Sequence, residues 1–145
     1  MQLWDIQGKR LETLQRNAAW FVEGEANPYT RFDEVKPASR LQDFFYEGSH
    51  LWVLVRVADR NWKAARSVSA ADLRKERGIV PIREYDEFLD SVIEVIDVRN
   101  GKLVASTRLD RYYHSFTNGG LLWTFRENDD GVLLIDVFRM ALYHR

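Results

Sequence analysis

The densest group of reactive side chains in the sequence is Asp110, Tyr113 and His114, an imidazole with a carboxylate and a phenol close by. These are the parts of a general base: a ring that takes a proton, and neighbours that orient it. A base needs a nucleophile or substrate proton to act on. No residue stands in a recognisable nucleophile turn, and cysteine is absent. The trio therefore reads as a binding surface, with His114, Tyr113 and Asp110 as ligand contacts and no catalytic residue assigned. His50 and His144 are too isolated to build a zinc site with His114. Asn128-Asp129-Asp130-Gly131 lacks the alternating acids and distal glutamate of a calcium loop and reads as a hairpin turn. Neither a metal site nor a cofactor is expected. Asp43, Glu47, Asp59 and Asp90 fall at the ends of apolar runs, where carboxylates commonly accept turn amides.

The whole chain bounds what those groups can serve. Its 145 residues suit one domain, and 21 Lys+Arg against 22 Asp+Glu leave a formal net charge of -1, so nothing draws it to nucleic acid or to an anionic membrane. Zero cysteines exclude a disulfide framework and a thiolate metal site. The longest uncharged apolar run, Leu51 to Val55, is far short of the roughly 18 residues of a spanning helix, so no membrane span is expected. The opening Met1-Gln2-Leu3-Trp4-Asp5 has neither the basic nor the apolar region of an export signal.

Short runs rich in Val, Ile, Leu and aromatic residues predict an all-β chain. Residues 3–14 read as a hairpin turning at Gln7-Gly8-Lys9. Leu41 to Tyr46 and Leu51 to Val57 form another across Glu47-Gly48-Ser49-His50. Leu51-Trp52-Val53-Leu54-Val55 is apolar at every position, as in a strand covered on both faces. Val92 to Val98 turns at Arg99-Asn100-Gly101 into Lys102 to Thr107, and Leu121 to Arg126 turns at Asn128 to Gly131 into Val132 to Leu142. Ala18 to Val22 is a further apolar run, and Glu23 to Ser39 reads as loop. Residues 63–89 break the strand rhythm. There Ser69 is a helix cap, Ala70 to Arg77 the helix and Gly78 its end, a short helical insertion.

Two units recur. Gly48-Ser49-His50-Leu51-Trp52 matches Gly119-Gly120-Leu121-Leu122-Trp123, and Asp5 to Leu11 matches Asp97 to Leu103 with one residue more in the turn. Leu51 and Leu122 are about 71 residues apart; without the insertion the period is about 44, close to the roughly 40 to 50 of a propeller blade. A module of inner and outer strand pairs at this period is a four-stranded blade, packed on both faces by its neighbours. Trp20, Trp52 and Trp123 then belong to inter-blade core. Trp4 and Trp62 lie outside that register, and Trp62 joins the candidate binding residues as an exposed aromatic.

On Leu51-Trp52-Val53 with Asp59, on Ile93 to Asp97 with Gly101 to Ser106, and on the closing Gly131 to Leu142 strand, the chain resembles the C-terminal part of the bacterial six-bladed β-propeller family related to NHL and TolB-type propellers. The resemblance implies about two and a half four-stranded antiparallel blades: a half blade at 3–14, a blade at 41–107 carrying the insertion 63–89, and most of a last blade at 112–142. A closed eight-stranded barrel of lipocalin type is the competing fold. The resemblance further implies a binding or interaction module for a protein or small-molecule ligand, the alternative being a hydrolase or lyase with His114 in the funnel of the ring. It also implies export to the periplasm or beyond, for which no signal is read here. Blades missing half their neighbours are expected either to self-associate or to continue into N-terminal blades outside this sequence.

Overall fold

The structure, a computed structural model, describes residues 2–4, 6–13, 18, 20, 36–62 and 85–143. Its described strands are β1 (Gln2–Trp4), β2 (Arg10–Thr13), β3 (Arg40–Glu47), β4 (His50–Ala58), β5 (Leu89–Asp97), β6 (Lys102–Leu109), β7 (Ser115–Phe116), β8 (Leu121–Glu127) and β9 (Leu133–Arg139), with a helix, α1 (Tyr85–Phe88), ahead of β5. All pairings are antiparallel, in three sheets: β1-β2, the meander β3-β4-β5-β6, and β7-β8-β9. The all-β expectation holds. Among the described residues no sheet closes on itself, which removes the lipocalin-type barrel.

The hairpins form where turn residues interrupt the apolar runs. At Asn100-Gly101 the Gly101 N–H donates to the Asp97 carbonyl at 2.8 Å, and Asn100 Oδ1 accepts the Lys102 N–H at 2.9 Å. The Arg99 side chain, hydrogen-bonded to the Asp97 carboxylate at 2.8 and 3.0 Å, lowers that group's pKa to about 2.

The central strands β4 and β5 explain the run of apolar residues. Leu51, Val53, Val55 and Val57 point to one face, where Trp20, Val92, Ile96 and Val98 pack. Trp52 and Leu54 point to the other, joining Ile93 and Val95 of β5 and Leu122 of β8. A strand buried on both faces has no polar side to alternate with. Each fully buried aliphatic side chain here stabilises the fold by about 1.5–3 kcal/mol. Two polar contacts from β3 attach the third sheet to the second. Asp43 Oδ2 accepts the Phe116 N–H at 2.7 Å, and Gln42 Nε2 donates to the His114 carbonyl at 3.0 Å. The Phe45 and Phe116 rings lie 6.0 Å apart beside them.

Several expectations change. The insertion does not reach Leu89: that residue already begins β5, fully buried, because it pairs with Ala58 and carries the meander's core forward. The helix expected at 69–78 lies outside the described residues, as do all of the Ala18 to Val22 run but Ala18 and Trp20 and the loop at 23–35. Residues 36–39 have no regular structure. The last strand stops at Arg139, and Met140 and Leu142 turn in to pack on the core. Trp62 is buried, at 9% exposure, and is no surface aromatic. The Asp59 N–H donates to the Phe88 carbonyl at 2.8 Å, tying the start of the Asp59–Trp62 turn to the residue before β5.

Candidate functional site

The three residues that stand together in sequence part company in space. Asp110 directs its carboxylate toward Asp59 and Asp90, one oxygen of each lying within 4.8 Å of the others. Tyr113 turns the other way, its ring edge-on to Phe138 at 5.6 Å and its N–H donating to Ser91 Oγ at 2.9 Å. His114 stacks on Trp123 at 4.7 Å and 11°, with Tyr112 and Phe125 edge-on at 4.8 and 4.9 Å. The trio offers no shared base. Among the described residues neither imidazole nitrogen has a hydrogen-bond partner, and burial among the rings lowers the ring's pKa.

That shift has a measurable consequence. A histidine with its folded pKa below its unfolded value binds fewer protons when native, so stability falls as pH drops below the ordinary value of 6.5 and is unaffected above it. His114→Phe keeps an aromatic ring in the stack and removes the proton site. Urea unfolding is expected to show a shallower loss of stability between about pH 6.5 and 5 in that variant than in the wild type; equal slopes would contradict the buried neutral ring.

A second group forms beside His114, where β3 begins and β4 ends. The register places Arg40 opposite Arg56 on the face that carries Trp52 and Leu54, and a bulge between Leu41 and Asp43 swings Gln42 out of the ladder. Tyr112 is hydrogen-bonded to Arg56 and Gln42, and burial raises its pKa, so the phenol stays neutral. Tyr85 stands edge-on to Tyr112 at 5.2 Å. Burial lowers the Arg56 pKa; the charges acting on it are two phenols, which raise it, and Arg40, which lowers it further. The Nε atoms of both arginines are shielded from solvent and lack an acceptor. Sequence reading passed over this cluster. Its one visible sign is Arg56, a lone charge inside the apolar run from Leu51 to Ala58. Its partner across the sheet depends on a bulge that no residue type announces.

The third group is built around Asp90, which is 1% exposed. Its Oδ2 accepts Arg108 Nε at 2.6 Å and also bonds an Arg108 terminal nitrogen, which in turn donates to the Ala58 carbonyl at 2.7 Å. One guanidinium thus ties the end of β4 to the start of β5 and the end of β6. Burial raises the Asp90 pKa, Arg108 pulls it down, and Asp59 and Asp110 push it up. Asp90 thus bonds a guanidinium in place of the turn amides expected of it, whereas Asp59 accepts the Asn61 N–H in its turn and Asp43 accepts the Phe44 N–H within β3. Among the described residues these three carboxylates are the group whose donors suit a hard cation, and Arg108 already occupies one side of it.

Searches of the chain against family models, curated proteins and solved structures return no match. Among the described residues no helix is long and apolar enough to cross a membrane.

Proposed function

We propose that the chain is a binding module of β-propeller-type blades, and that its working surface is the Trp123 face of the β7-β8-β9 sheet. The meander β3-β4-β5-β6 supports the blade reading, since it spans the segment whose repeat period gave four strands. The two Leu-Trp motifs add to it. Trp52 sits opposite Phe45 and Trp123 opposite Ser115, so both motifs begin the second strand of a hairpin at the same place. In the central sheet the Leu51 side meets Trp20, and the Trp52 side meets Leu122 of the next sheet.

The third sheet repeats that phase with the β9 part of one side uncovered, next to the stack of His114 on Trp123. Leu122 is buried against the central sheet, whereas β9 residues paired alongside Trp123 and Phe125 are open: Val137 is 51% exposed and Ile135 60%. This bare apolar face, in the register that is covered one sheet earlier, is the observation that carries the proposal. Its occupant is another apolar sheet face, packed at about 10 Å as in sheet-on-sheet layers. A second copy of the chain meets the requirement through the same bare face, since its Leu51 face is already covered.

Light scattering on the purified chain is expected to show concentration-dependent association, weakened more than tenfold by Ile135→Lys, because a lysine driven into an apolar interface loses its water without gaining a partner. Exposure of Ile135 keeps the substitution mild for folding. A wild type that stays monomeric, or association that Ile135→Lys leaves unchanged, would contradict the proposal. The hydrolase or lyase alternative rests on His114, which has aromatic neighbours in place of an acid.

A further inference from the structure

We propose that the Arg40–Arg56 pair binds a small oxyanion, a carboxylate or phosphate group, seated between the two guanidiniums beside Tyr112. Cross-strand neighbours of like charge repel, and these two are in register on one face. Among the described residues no carboxylate makes an ion pair with either arginine. The ion pairs among the described residues belong to Arg99, Arg108, Arg111 and Arg126. Tyr112 is a buried phenol and His114 an imidazole enclosed by rings, so neither supplies a negative charge at neutral pH. Two positive charges are left, each with an Nε that lacks an acceptor.

An anion answers both deficits at once. The planar guanidinium fork matches the oxygen spacing of carboxylates and phosphates and takes them through paired hydrogen bonds. Both arginines are partly exposed, while the Nε of each is shielded from solvent. Tyr112, held by Arg56 and Gln42, fixes one guanidinium in place before the ligand arrives, and the Tyr85 ring borders the site. This site adjoins His114, which stacks on Trp123, and the inference does not rest on the Trp123 face binding anything.

The test is thermal unfolding of the full chain titrated with sodium benzoate in one arm and inorganic phosphate in the other, at constant ionic strength against sodium chloride. A saturable rise in Tm is expected in at least one arm, and the arm that responds at lower concentration identifies the oxyanion. Arg40→Gln is the decisive variant, since its side chain makes no hydrogen bond that folding would miss. It should raise the apparent Kd more than tenfold and, with repulsion removed, leave the ligand-free Tm equal to or above that of the wild type. Arg56→Gln should also raise the Kd, with a lower Tm from loss of the Tyr112 bond. Running the titration in Ile135→Lys as well separates the two proposals, because the anion response should persist there. Absence of a saturable rise in both arms overturns the inference, as does a rise that Arg40→Gln leaves unchanged.

Discussion

Arg108→Ala is expected to cost about 3–5 kcal/mol of stability, the largest single loss available to a side chain at the end of the central sheet. The reason is what stays behind. Asp90 is 1% exposed, its Oδ1 has no hydrogen-bond partner, and Arg108 serves the other oxygen. Removing the guanidinium leaves a buried carboxylate facing Asp59 and Asp110, and also takes a donor from the Ala58 carbonyl. The pH dependence gives the loss a signature. Burial already raises the Asp90 pKa above 3.8 against the pull of Arg108, and without that pull the folded value climbs further. A carboxyl with its folded pKa above its unfolded value binds more protons when native, so stability falls as pH rises through that window. The deficit of Arg108→Ala should therefore be smallest near the unfolded value of 3.8 and grow toward neutral pH. Asp90→Asn in the same background should recover much of it. Urea midpoints across pH check both statements, and a deficit independent of pH would contradict the buried-charge account.

Gly120→Ala should cost about 2–4 kcal/mol, from two sources that a control can separate. Gly120 has φ +71, where a side chain is strained, and a Cβ built there would run into the Phe45 ring of the neighbouring sheet. Gly48 occupies the equivalent turn with φ +62 and open space around it. Gly48→Ala should therefore show the backbone cost alone, about 1–2 kcal/mol. The difference between the two variants reports how tightly the β7-β8 turn presses on β3. Phe45→Ala should shrink the Gly120→Ala penalty toward the Gly48 value, measured as a double-mutant cycle. Equal costs for the two glycine variants would mean the sheets are not in contact there.

Much of this architecture can be read from residues. Asn100-Gly101 and Asn128 to Gly131 mark hairpins because the chemistry of a tight turn is local. The unbroken apolar run of β4 implies cover on both faces, and the structure supplies it from Trp20 on one side and Leu122 on the other. The candidate sites were less legible, since proximity in sequence did not become proximity in space. Asp110, Tyr113 and His114 follow one another along an irregular link between β6 and β7, where the backbone turns each side chain a different way. Trp62 reads as exposed because it lies outside the repeat register, yet it is buried, which no local pattern encodes. Arg40 and Arg56 meet only because of the bulge after Leu41, which shifts register by one residue and so decides which side chains are opposite.

Whether a second sheet covers the Trp123 face can be measured at one residue. The chain has no cysteine, so Val137→Cys accepts a nitroxide label at that position alone. Val137 is 51% exposed on β9, opposite Trp123. Ser106→Cys on the exposed strand β6 serves as the control. The electron paramagnetic resonance spectrum at position 137 is expected to pass from mobile to immobilised as protein concentration rises, while the spectrum at 106 stays mobile throughout. Spectra at both positions that remain equally mobile over the whole range would contradict the binding-face account.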